Sequence, residues 1–126
     1  MGFLRSLMSV ISTDGKTGTP FKLDKHTVYW KGKGVTELDA AHVAGYFKGY
    51  GYFKDDNSID VQILSPTSSA EELRVNFIVN PQYVTSEIED HFKSMVSSMH
   101  ELFPGRKLSS TLVDPHFKEV KNLGYM

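Results

Sequence analysis

The sequence predicts a single α+β domain, and three observations carry that prediction. Two segments repeat apolar residues at helical spacing, several others alternate with a period of two, and the order is strand, helix, strand, strand, helix, strand. A split βαβ arrangement satisfies this order: a ferredoxin-like βαββαβ sandwich, with an antiparallel sheet and two helices on one face. A short N-terminal helix and an extra C-terminal strand are expected around it. A longer meander, with the helices at its ends or on a curved sheet, fits the same order.

Residues 1–12 read as a short amphipathic helix whose Phe3, Leu4, Leu7, Met8 and Ile11 share one face. Residues 13–20, dense in Gly, Thr and Pro, read as a flexible linker, and residues 21–126 as the domain. Phe21-Lys22-Leu23 and His26 to Trp30 are strand material around a tight reversal at Asp24-Lys25. After the loop Lys31 to Gly34, Thr36 is placed to cap a helix with Asp39 as its capping-box partner. Ala40, Val43, Ala44, Phe47 and Tyr50 then form the buried stripe, and Gly49 or Gly51 ends the helix.

Ile59, Val61 and Ile63 alternate with Asp60 and Gln62, which predicts a strand with one buried face. Leu73, Val75, Phe77 and Val79 repeat the pattern, and the turn-forming residues 65–71 between them predict an antiparallel pair. Ser86 with Glu89 reads as a second capping box. Ile88, Phe92, Met95, Val96, Met99, Leu102 and Phe103 follow as a helical stripe until Pro104-Gly105. Leu108 to Val113 is the next strand, Asp114-Pro115 breaks it, and a last strand runs from Phe117 to about Leu123.

Composition narrows the function classes. Fourteen Lys and Arg against fifteen Asp and Glu give a net charge of −1, so no whole-molecule field draws the chain to phosphate backbones or anionic lipid. DNA is therefore not an expected partner. The chain has no cysteine, which removes disulfides and thiolate chemistry and suits a reducing cytoplasm, the expected location. The apolar start is shorter than the roughly 20 residues a spanning helix needs and has no small-residue cleavage site. Membrane contact is expected only if Gly2 is lipidated, since Gly2 and Ser6 match the myristoylation pattern.

The stretch Lys48 to Phe53, KGYGYF, resembles the base-stacking signature of the RNA recognition motif, a family with the same βαββαβ order. Lys48, Gly49, Tyr50, Gly51 and Tyr52 fit its first five positions and Phe53 its sixth, whereas Asp55 fails its final aromatic. The resemblance implies RNA binding through Tyr50 and Tyr52. In that family, however, the stacking aromatics lie on the strand before the second helix, which here is Leu73 to Asn80 and has no suitable pair. The position instead predicts a helix end, with a glycine in the left-handed conformation and aromatics covering it.

Asp55-Asp56-Asn57-Ser58-Ile59-Asp60 lacks the glycine and the final glutamate of a calcium loop and reads as a solvated turn. His26, His42, His91, His100 and His116 show no metal-ligand spacing, and no serine lies in a nucleophile elbow. No catalytic residue, metal ligand or cofactor is assigned. The leading expectation is a non-enzymatic protein-interaction or assembly module. It would use the N-terminal apolar residues or the sheet edges for a protein partner or for self-association, as a homodimer. A small-ligand domain or small enzyme is the alternative, with a pocket between sheet and helices walled by Tyr29, Trp30, Tyr50 and Tyr52 and with His42 or His26 as its polar group. RNA binding through KGYGYF is the third reading.

Overall fold

The computed structural model describes residues 17–67 and 69–125. The expected N-terminal helix and residues 13–16 of the expected linker lie outside them. Among the described residues the order is β1 (Thr19–Leu23), β2 (His26–Lys31), α1 (Glu37–Tyr50), β3 (Asp60–Leu64), β4 (Glu72–Ile78), α2 (Ser86–Ser98), β5 (Lys107–Val113) and β6 (Glu119–Tyr125). Single 3-10 turns span Pro81–Tyr83 and Met99–Leu102.

The six strands form one sheet in simple sequence order, from β1 at one edge to β6 at the other. The sheet is mixed. β1/β2, β3/β4 and β5/β6 pair antiparallel, while β2/β3 and β4/β5 pair parallel. The expected antiparallel ferredoxin-like sandwich is thereby overturned. In that arrangement each helical crossover skips one strand position and the other unit fills the gap. Here each helix returns the chain to the immediate neighbour of the strand it left, and that connection makes the neighbours parallel. The element order is the same in both cases. Direction depends on which distant strands meet, and a period-two pattern carries no record of it.

The core is organised by a row of aligned residues: Phe21, Val28, Val61, Phe77 and Leu112 face one another across five strands. Rings from both helices meet this row, Phe47 of α1 at 5.8 Å and Phe92 of α2 at 4.3 Å from the Phe77 centroid. β2 and β3 run opposite to β4 and β5, yet the chain advances across the sheet in one direction. Two crossovers packed on the same row then have opposite hands, and one of them has the left hand that parallel connections rarely adopt.

The helices form where the local signals place them. Thr36 Oγ1 accepts from the Asp39 N–H at 3.2 Å and Asp39 Oδ2 accepts from the Thr36 N–H at 3.0 Å, closing the predicted capping box. Ala40, Val43, Ala44 and Phe47 are buried as expected, but Tyr50, the last residue of the predicted stripe, is 42% exposed. Gly51 at φ 94° ends α1, a conformation that glycine adopts without a Cβ penalty.

Thr85, not Ser86, caps α2, its Oγ1 accepting from the Ile88 N–H at 3.2 Å. Phe92, Met95 and Val96 are buried. The helix then tightens into the 3-10 turn, in which Met99 is buried and Leu102 is 38% exposed, against expectation for Leu102.

Two strand boundaries also shift. β1 takes in Thr19 and Pro20, and β6 begins at Glu119 because residues 114–118 form a turn that holds Phe117 at φ 64°. No described helix is long and apolar enough to cross a membrane.

Candidate functional site

The structure separates the five residues expected to line one pocket. Tyr29 and Trp30 are neighbours in an extended strand and therefore point to opposite faces. Trp30 packs on the helix side, where its indole Nε1 is buried without a partner. Tyr29 lies on the other face, and burial, reinforced by the Asp60 carboxylate, raises its phenol pKa. His42 sits on α1, exposed beside the Phe103 ring at 6.4 Å. Of the five, Tyr50 and Tyr52 line one cavity together.

That cavity, of about 510 Å³, is also lined by Gly51, Lys54, Asp56, Asn57, Ile59 and His91. It exists because of how α1 ends. Gly51 reverses the chain, and the N–H groups of Gly51, Tyr52 and Phe53 all reach the Phe47 carbonyl, at 3.2, 2.9 and 3.1 Å. Two aromatics are thus folded back beneath the helix. Tyr52 packs against Phe47, Phe77 and Phe92 with rings nearly perpendicular, and burial pushes its phenol far above the ordinary range.

Phe53 stacks on His26 at 4.4 Å, and the His26 Nδ1 accepts from the Ile59 N–H at 3.1 Å. The bond places an unprotonated nitrogen at Nδ1, so this buried imidazole serves the fold. The Lys25 ammonium donates to the Asp55 carbonyl. Anchored on both sides, residues 54–58 form a rim that presents Lys54, Asp56 and Asn57 to solvent.

His91, from the second turn of α2, lies 6.2 Å from the Tyr50 ring and joins this cavity to a second one. The second is a groove of about 310 Å³ lined by Val79, Asn80, Tyr83, Val84, Ile88, His91 and Phe92. Asn80 Oδ1 accepts from the Gln82 N–H at 3.0 Å, fixing the 3-10 turn that holds Tyr83 outward, 68% exposed. The exposed ring stands beside apolar walls.

Sequence reasoning named Tyr50 and Tyr52 but missed Lys54, Asp56, Asn57 and His91, and it did not recognise the groove at all. A usable signal was present. Asn80-Pro81 is a turn initiator, and an apolar aromatic two residues later is out of place in a purely solvated turn.

The cavity brings together an ammonium, a carboxylate, an amide, an imidazole and a phenol, groups that hydrogen-bond a polar ligand. Among the described residues, no three His, Asp or Glu side chains converge as metal ligands. Comparison with protein-family models, curated proteins and solved structures finds no match to this chain.

Proposed function

We propose that the protein is a non-enzymatic interaction module whose partner surface is the groove beside α2. The observation that carries this reading is Tyr83, a large aromatic 68% exposed at the rim of an apolar groove walled by Val79, Val84, Ile88 and Phe92. A ring held out by a capped turn beside an apolar trough is the form of an anchor that a partner covers. The fitting occupant is an extended polypeptide that inserts one apolar side chain into the groove. Its polar neighbours would then meet Lys54, Asp56 and Asn57 across His91.

The sheet edges are poorer surfaces. β1 is short and carries Pro20 and Lys22, and β6 carries Lys121 and two register shifts, all features that block edge pairing. Selection of displayed peptides against the full chain tests the proposal. Peptides with an apolar anchor are expected to bind, and Tyr83→Ala to weaken them about tenfold, or about 1.4 kcal/mol. Binders indifferent to Tyr83→Ala and Ile88→Ala would overturn it.

The second reading, a small polar ligand in the neighbouring cavity, is favoured by the five different polar groups that converge there. A fragment screen read by amide shifts separates the two. Shifts confined to Tyr50, Lys54 and His91 support the ligand reading, and shifts at Tyr83, Val84 and Ile88 support the groove.

A further inference from the structure

The sheet has a second face that carries neither α1 nor α2. Its central row is Tyr29, Gln62, Asn76 and Thr111, in register across β2 to β5. Side chains on an uncovered sheet face remain wetted. Here Gln62 is 2% exposed, Thr111 3%, Val113 3% and Asn76 7%, although no described helix or strand lies over them. Asn76 Oδ1 and Thr111 Oγ1 are buried without hydrogen-bond partners, so solvent is shut out at this row.

One described backbone group from outside the sheet reaches this row. The Gln62 Nε2 donates to the Thr17 carbonyl at 3.0 Å, and Gln62 Oε1 accepts from Asn76 Nδ2 at 2.9 Å. Thr17 is where the described chain begins, so residues 1–16 start from this face. They are long enough to cover it. From β3 to β5 is about 10 Å, and sixteen residues span roughly 24 Å as a helix and more when extended.

We propose that this face is the docking site of the chain's own first sixteen residues, with Leu4, Leu7, Met8 and Ile11 turned toward the row. The pattern suits the site. Those positions recur at three- and four-residue spacing, and a short segment of that kind has no reason to stay ordered without an apolar partner. Tyr29, Ile78 and Val113 supply apolar surface there. The N-terminal residues are then a built-in cover for the sheet, which leaves the groove beside α2 for a separate molecule.

The absence of cysteine allows a clean test in the full chain. Ser109 and Ser110 are consecutive in β5, both closed to solvent and on opposite faces, Ser109 beneath the proposed cover and Ser110 in the helix-side core. Ser109→Cys is expected to react slowly with a thiol reagent, and at least about tenfold faster when Leu4→Asp and Leu7→Asp are added, while Ser110→Cys stays protected. An unchanged rate at Ser109→Cys would overturn the proposal. So would protection lost on dilution, which would make the cover a second copy of the chain.

A cross-linking measurement keeps the N-terminal apolar residues otherwise intact. Met8→Cys with Thr111→Cys is expected to be bridged within one chain by a short bis-maleimide. A bridge only between chains, or none, counts against docking.

Discussion

The two faces of the sheet are built from alternate residues of the same strands, yet they are held by different physics. On the helix side the row Phe21, Val28, Val61, Phe77 and Leu112 is apolar, and rings from α1 and α2 close over Phe77. Its cohesion is burial and dispersion, which depend on volume and tolerate swaps of similar shape. On the other face the aligned row is Tyr29, Gln62, Asn76 and Thr111, and its cohesion is the directed chain from Asn76 through Gln62 to the Thr17 carbonyl. Hydrogen bonds impose register. The apolar face makes the sheet stable, and the polar face determines what can lie on it.

The sharpest way to break this contrast is to remove volume from the apolar row. Phe77→Ala is expected to lower stability by about 3–5 kcal/mol, because Phe47, Tyr52 and Phe92 all lose their common contact. Urea unfolding would show it as a lower midpoint with an unchanged slope. A cost below about 1 kcal/mol would mean that the helices do not share one core.

The polar row predicts a smaller and differently coupled effect. Gln62→Ala and Asn76→Ala each strip a buried hydrogen-bond partner, and each is expected to cost about 1–3 kcal/mol. Their double variant should cost less than the sum of the two, since the shared bond can be lost only once. Additive costs would show that the Gln62–Asn76 bond contributes nothing net. The row would then be held from above, by what covers it.

Much of the apolar face was legible in the sequence. Helical stripes such as Ala40, Val43, Ala44 and Phe47 are local signals, and so are the Thr36–Asp39 capping box and the Gly51 stop. The polar face was not legible, because alternation marks Gln62 and Asn76 as the wet side whether or not something covers them. Strand direction was lost for the related reason that parallel and antiparallel strands share one pattern. The candidate site combines residues 50–59 with 79–92, and only tertiary packing joins His91 to Tyr50. Placing Tyr29 and Trp30 in one pocket was avoidable, since consecutive strand residues face opposite ways.

The smallest expected effect lies in the turn where both faces end, between β5 and β6. Asp114 Oδ1 accepts from the Lys118 N–H at 3.0 Å and from the His116 N–H at 2.8 Å. The Lys118 bond is the main cause holding its carboxyl below the usual carboxylate range, with the His116 bond and the neighbouring charges acting the same way against a smaller effect of burial. A lowered pKa in the folded state means that the unfolded chain takes up the proton first. The contribution is therefore complete above the ordinary value near 4 and disappears as pH falls through the folded value beneath it. Asp114→Asn keeps an oxygen acceptor for the turn and removes only the charge. Its Tm should fall slightly below that of the parent chain at neutral pH and converge with it in acid. A gap that persists in acid would assign the difference to the geometry of the turn. A constant gap would also detach this turn from the electrostatics of the molecule and leave its register to Phe117, whose left-handed backbone would then carry the reversal alone.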